Sequence, residues 1–550
     1  MNIDSLAEAL DGLVPEIMDH CGTPGLSIAV GVGREVALTR AYGLADLATG
    51  RPMTTDTVGP TGSDAKPYTG VAAMQLVERG LIGLDVPVND HLDGLRIDNP
   101  HGPRPITLRD LLTHHSGLGT SMGNWDRVPP APLGEHLRRV FAAGRSDAYG
   151  GAVLPFWAGP VGAGYQYSNL GIAVVGLLVE QLNPDRVPFS EWVRRHVFAP
   201  LAMDSTCFPP AQHPDFVPAE LLQRRSVGYA TLPGFRFPLP ALYPGDYPAG
   251  SALTTPGDHA RFILALLNGG HLDSGAILRP DTAQQMITPQ AAGGDRLGQR
   301  AKTSVGLVFN VFDEHIGHGG EYLWGWSHFT RGWPGHGVSL VISANQYDLG
   351  DFGLSERPSH LAARLVAETV TAWVRGLDPR PRHTPAAARG YLAGMLIGDR
   401  LTTRLGIPTP PSAEEIAHIA RTAIVDVPWE AEVFRQAVPQ VRLPAARDDT
   451  AATAFSGTAA TPRNTATALS GTAAPPGDTA TGLNESPATA SGRAATAVSP
   501  RDTAALRDKA AAVLGEGVAA VLRELPAHQL ALVRRQLGVP GFGAMAGVDG

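Results

Sequence analysis

Residues 62–80 read Gly62-Ser63-Asp64-Ala65-Lys66-Pro67-Tyr68-Thr69-Gly70-Val71-Ala72-Ala73-Met74-Gln75-Leu76-Val77-Glu78-Arg79-Gly80. The pattern predicts a helix from about Asp64 to Arg79, ended by Gly80. A serine at that N-terminus with a lysine three residues on sets both side chains on one face, about one turn apart. The free N–H groups of the first turn favour negative charge beside the serine. A hydroxyl is a weak nucleophile until a neighbouring base takes its proton. Lysine can be that base where burial and nearby positive charge favour its neutral form. Pro67 is tolerated in a first turn, where its missing N–H costs little. The spacing alone does not decide the matter, because an N-capping serine followed by a surface lysine looks the same.

Working outward, the N-terminal stretch MNIDSLAEALDGLVPEIMDH reads as an amphipathic helix, and 24–58 as two or three strands. Gly31-Val32-Gly33 reads there as a hairpin turn. After the serine helix, ITLRDLLTHHSGLG predicts a short helix with Leu108, Leu111 and Leu112 inward, stopped by Gly117, with His114 and His115 near a cleft wall. A Gly/Pro-rich irregular segment runs to about Gly164, and NLGIAVVGLLVEQL makes a buried helix. Strand-like runs return with SVGLVFNVF and GVSLVISANQ, and SHLAARLVAETVTAWVRG closes the unit as an amphipathic helix. Strands at both ends of a helical middle, about 61–240, predict one sheet built from distant segments. The expected class is α/β: an antiparallel sheet flanked by helices, an all-helical insert, and a C-terminal helical extension.

Two further elements stand near this frame. Tyr167-Ser168-Asn169 lies in a turn leading into the buried helix, where a tyrosine oxygen can face a cleft. His318-Gly319-Gly320 offers a glycine pair beside a strand, permitting close approach of a substrate and main-chain N–H groups for an oxyanion. Each is weak singly. Their order is not: S-x-x-K, Y-x-N about 100 residues later and H-x-G about 150 further on. This triplet resembles that of the penicillin-binding-protein and class C β-lactamase-like family. TLRDLLTHHSGLG, PLAMDST, PAGSALTTPGDHARFILALLNGG and VGLVFNVF resemble the family too, over roughly residues 10 to 377.

The resemblance implies an α/β sandwich with an all-helical insert. It implies that Ser63 attacks a carbonyl while Lys66 and Tyr167 relay the proton to the leaving group. Asn169 would orient Lys66 and the substrate amide. His318 stands where β-lactamases carry a lysine, which is closer to the esterase, peptidase and transacylase branches. The N–H of Ser63 and one near Gly320 or Glu321 would form the oxyanion hole. One departure touches that strand: EYLW precedes Gly325-Trp326, one residue longer than expected. It questions the strand register and sets Tyr322, Trp324 and Trp326 near the site, as a large or aromatic substrate would require.

Composition narrows the alternatives. With 550 residues, 43% hydrophobic and 17% charged, the chain is long enough for more than one domain and for a real core. A net charge of −8 spread along the sequence gives no electrostatic reason for a nucleic-acid partner. No apolar run is long enough to span a membrane. Two cysteines are too few for a disulfide framework. The N-terminus lacks the basic start and apolar run of a secretory signal, so a cytoplasmic location is expected. No cofactor motif occurs, and none is expected. His315, His318, His328 and His336 lack a carboxylate in the H-E-x-x-H arrangement, so no metal is expected and they read as partly exposed. Gly119-Thr120-Ser121-Met122-Gly123 fits G-x-S-x-G, but that elbow needs a strand before it and a helix after it.

Beyond about residue 380 the character changes. Residues 381–445 predict a small helical region, with Ser412 and Glu415 in capping-box spacing. Residues 446–500 are mostly Ala, Thr, Gly, Ser and Pro and predict a disordered linker. Residues 501–550 return to helical pattern and could dock a carrier protein or a second copy. The expected activity is a serine hydrolase acting on a small ester or amide. The rivals are a transacylase that hands the acyl group to an amine or alcohol, and a non-catalytic binding module on the same fold.

Overall fold

The computed structural model describes residues 2–379 except 120–124, 127–130, 145–155, 211–214, 233–234, 240–242, 294–303, 323–324 and 349–357. The regions expected at 381–445, 446–500 and 501–550 lie outside the described residues, as do positions 120–123 of the G-x-S-x-G sequence.

One antiparallel sheet organises the chain. Its nine strands run in the order Ala291–Ala292, Ser304–Val305, Asn310–Val311, Ile316–Tyr322, Trp326–Trp333, Val338–Ala344, Gly25–Val32, Glu35–Asp46, Arg51–Pro52. Distant segments meet at its centre, where Ile28 pairs with both Ile342 and Arg40.

Alternation decides what covers each face. Leu26, Ile28 and Val30 join Val338, Leu340 and Ile342 under the terminal helices Ile3–Cys21 and Pro358–Val374, against Leu6, Leu10, Ile17, Val366 and Val370. Trp373 Nε1 donates to Asn2 O at 2.7 Å and ties the two helices together. The opposite face is built small, with Ala29 and Val341 packing on Ala260. A Cβ on Gly31 would come within 2.5 Å of Leu264 Cδ1, so only a residue this small lets the helix Pro256–Leu267 seat so closely.

Beyond that helix lies the helical body. Tyr68, Val71 and Met74 of the serine helix pack with Leu111, Val175, Phe189, Trp192, Phe198 and Phe262 in one buried cluster. Each such side chain contributes on the order of 2 kcal/mol through burial, so apolar packing fixes where the serine helix stands. A three-stranded sheet, Gln346–Asp348, Gly228–Leu232 and Phe235–Leu239, lies alongside.

Two local expectations are corrected. The helix beginning at Leu108 is capped by a Thr107–Asp110 box and ends at Leu112, not at Gly117. His114 there takes the left-handed φ of 61° that usually falls to a glycine. SVGLVFNVF is not one strand. Gly306 N–H donates to Phe309 O and turns the chain, so Leu307, Val308 and Phe309 plug the helical core.

Candidate active site

From Thr57 through Leu76 every residue is buried apart from Ser63, which is half-buried. Ser63 sits in a 3₁₀ turn, Gly62–Ala65, that passes into the α-helix Lys66–Glu78 with Pro67 in its first turn. The Lys66 N–H donates to Ser63 O, which holds the two residues one turn apart. Thr61 N–H donates to Ala252 O at 2.9 Å and anchors the turn from behind.

Lys66 is fully buried, at 0% exposure. Its Nζ donates to Ala249 O at 2.7 Å and lies 4.8 Å from the centre of the Tyr167 ring. One residue-pair further along, Thr69 Oγ1 donates to Pro248 O at 2.6 Å. The segment Tyr247–Ala249 thus forms a rail under the serine helix. Tyr167 precedes Ser168, which caps the helix Asn169–Leu182 by accepting from Gly171 N–H at 2.9 Å. Ser168 Oγ also donates to Gly119 O at 3.1 Å. Asn169 opens that helix and is buried. The chain therefore brings Lys66 and Tyr167 into contact from 101 residues apart in sequence, a separation read as 167 minus 66.

The strand Ile316–Tyr322 crosses directly over the serine turn. A Cβ on Gly320 would lie 1.7 Å from Thr61 O, 2.7 Å from Asp64 N and 2.9 Å from Ser63 N. A Cβ on Gly62, whose φ is +54°, would lie 2.6 Å from the carbonyl carbon of Glu321. Both glycines are required by backbone against backbone. Gly319 is not, since its nearest neighbour would be His328 O at 3.7 Å. The register with Trp326–Trp333 is unbroken from Ile316↔Gly332 to Tyr322↔Trp326, so the longer connection leaves the strand in register. Gly325, just before the second strand, has a φ of +107°, and a Cβ there would meet Tyr229 N at 2.2 Å. Of the three aromatic residues expected near the site, Trp326 is instead buried at 1% and donates through Nε1 to Ser226 Oγ at 2.8 Å. Trp324 and the Tyr322 side chain lie outside the described residues.

The sequence that builds this serine turn and the strand above it matches the Beta-lactamase family model over residues 10–364. The chain belongs to the Beta-lactamase family. It is 32% identical over 276 residues to esterase EstB of Burkholderia gladioli, covering 45% of this chain and 66% of the esterase. It is 26% identical over 326 residues to penicillin-binding protein 4 of Amycolatopsis lactamdurans, covering 58% of this chain and 81% of that protein. The fold is also that of the solved D-amino acid amidase from Ochrobactrum anthropi, with a TM-score of 0.53 at 22% identity over 67% of this chain and 99% of the amidase.

This member of the Beta-lactamase family carries a second polar cluster that the sequence reading missed. Asp64, the neighbour of Ser63, points the other way and is completely buried. Its Oδ2 accepts from Thr330 Oγ1 at 2.5 Å and from His328 Nδ1 at 2.6 Å. His259 Nε2 stands 3.7 Å from the same oxygen, and His318 Nδ1 stands 3.9 Å from Oδ1. The Tyr68 hydroxyl donates to His259 Nδ1. Burial alone would raise the Asp64 carboxyl, but the surrounding imidazoles and the His328 hydrogen bond outweigh it and hold the group well below the usual carboxylate range. Burial pushes His259 down to about 3 against the pull of Asp64, and pushes Tyr68 well up, so the phenol keeps its proton.

The four histidines expected to be partly exposed divide differently. His318 and His328 are buried, at 8% and 4%. His315 is half-buried and stacked on Phe312, and His336 is exposed. Asp64, His259 and His328 bring potential ligand atoms within 4.8 Å of one another. The 2.6 Å contact and the Tyr68 bond are, however, hydrogen-bond geometry, and the cluster as arranged is a hydrogen-bonded network. Among the described residues no helix is long and apolar enough to cross a membrane.

Proposed function

We propose that this protein is a serine hydrolase that opens a small ester or amide through an acyl-enzyme on Ser63. The observation that carries the reading is the fully buried Lys66 nitrogen, 4.8 Å from the Tyr167 ring, one turn behind the half-exposed Ser63. Ser63 Oγ attacks the carbonyl carbon, and its proton passes to the Lys66–Tyr167 pair. The pair returns that proton to the departing oxygen or nitrogen as the acyl bond to the leaving group breaks. Asn169 orients Lys66 and the substrate. The Ser63 N–H and an N–H of the strand at Gly320 or Glu321 receive the oxyanion, and His318 of the same strand stands 3.9 Å from the Asp64 carboxylate. Water then attacks the acyl-enzyme. The relationship to a protein named an esterase favours an ester as the first substrate to try.

A panel of activated esters, offered with and without amines or alcohols and followed by intact-mass analysis, tests this. The expected result is an acyl adduct on the Ser63 peptide, discharged by water. Discharge faster with an amine or alcohol than with water would make the protein a transacylase. Undiminished turnover in Ser63→Ala would overturn the reading; absence of both adduct and turnover across the panel would favour a binding module. The C-terminal helices expected at 501–550 serve docking, to a carrier protein or a second copy, so truncation after residue 445 is expected to leave model-ester turnover intact.

A further inference from the structure

We infer that His114 is a positioning residue that holds Tyr167 at Lys66, a role that rests on the acyl-enzyme reading above. Three contacts run from this one residue to the loop bearing the tyrosine. His114 O accepts from Gln166 N–H at 2.7 Å, and His114 Nδ1 accepts from Ser168 N–H at 3.2 Å. The two bonds grip the residues on either side of Tyr167. The third contact is with Tyr167 itself: the imidazole lies 4.6 Å from its ring, the planes tilted by 33°. Tyr165 also meets the imidazole, the two rings edge-on at 5.6 Å. With its ring held there, Tyr167 cannot swing toward the helix that ends at Leu112 without displacing the imidazole.

The backbone of His114 makes this possible. At φ 61° the residue is in the left-handed region, where non-glycine residues are uncommon and histidine and asparagine are among the more frequent visitors. That conformation turns the carbonyl and the imidazole toward the same loop. The chain thus keeps a side chain where a helix end would ordinarily use glycine, and the side chain is buried at 2%. An acceptor at Nδ1 also fixes the neutral tautomer with its proton on Nε2. Displacing a reacting group by about 1 Å can cost about 100-fold in rate, so the grip acts on chemistry more than on binding.

The test compares single-turnover acylation and steady-state ester hydrolysis for four variants of the full chain. His114→Gly keeps the left-handed backbone and removes ring and acceptor; kcat should fall about 30-fold with KM nearly unchanged. His114→Asn tolerates the same φ and offers Oδ1 close to where Nδ1 stood; it should recover most of that loss. His114→Gln has its oxygen one bond too far out and should resemble glycine, which keeps the comparison decisive even if the glycine variant does not fold. Wild-type kcat in a folded His114→Gly, or equal kcat for the asparagine and glutamine variants, would overturn the inference. Tyr167→Phe is the control. If it keeps kcat, the acyl-enzyme reading itself fails; if it loses kcat while the His114 variants do not, only the positioning role fails.

Discussion

Within the tetrapeptide Ser63-Asp64-Ala65-Lys66, two polar clusters diverge back to back. Lys66 faces Tyr167, and from Thr57 through Leu76 Ser63 is the one residue that is not fully buried. Asp64 faces His328, Thr330, His259 and His318, all buried. The first cluster places a hydroxyl where a substrate can arrive. The second has no access and instead fastens the serine turn to the strand Trp326–Trp333. Burial of ionisable groups therefore serves two ends a few ångströms apart: one side is kept for reaction, the other holds the distance between nucleophile and sheet.

The sharpest way to break this division is to exchange the effects. Ser63→Ala should lower ester turnover on the order of 10⁴-fold or more while leaving the thermal midpoint near that of the parent chain. Asp64→Ala should do the reverse at the first step. It strands the Thr330 and His328 donors in a dry pocket, and a buried donor left without its acceptor costs about 1–3 kcal/mol each. Against a total stability of about 5–15 kcal/mol, soluble yield and midpoint should both drop before any kinetic effect is read. A stable, slow Asp64→Ala would erase the distinction.

The outward cluster was legible in the sequence and the inward one was not, for a definite reason. Ser63, Lys66, Tyr167 and the His318-Gly319-Gly320 strand are recognised by order and spacing, which a linear reading sees. Asp64 in a helix's first turn looks like any acid favoured by the helix dipole. Its partner His328 lies 264 residues away, and His259 sits in an unremarked PGDHARF stretch. The sheet and its helical insert were read from strand-like runs at both ends. SVGLVFNVF misled because an apolar plug and a buried strand share a composition. His114 was placed at the end of its helix near the cleft wall, but its left-handed turn and hold on the tyrosine loop depend on the returning segment 156–168.

The glycine pair sharpens the same contrast at smaller cost. Gly320→Ala would drive a methyl into Thr61 O and the Ser63 amide. It is expected to destabilise by about 1–3 kcal/mol and to lower kcat about 100-fold by prising the strand from the serine turn. Gly319→Ala meets nothing closer than 3.7 Å and should stay within about 0.5 kcal/mol of the parent. Differential scanning calorimetry and ester kinetics on the pair separate them. Equal behaviour would mean that the strand does not ride on the turn.

The last effect is in the pH dependence of stability. His259 is pushed down to about 3 in the folded chain, below the ordinary histidine value of about 6.5. The unfolded chain therefore takes up a proton that the native state refuses, and stability is full above about pH 6.5 and declines as pH falls toward 3. Asp64 is also held below its ordinary value, so its contribution is present above about pH 4 and is lost further down. Urea unfolding at pH 7, 5 and 4 should show a steeper acid loss for the parent chain than for His259→Asn, which keeps an acceptor for Tyr68. The difference should approach about 1.4 kcal/mol per pH unit between pH 6 and 4. Asp64→Asn should flatten only the part below pH 4. Parallel curves for parent and His259→Asn would mean that the inner histidine titrates freely, and the pocket behind the serine would then be open to water like the one in front.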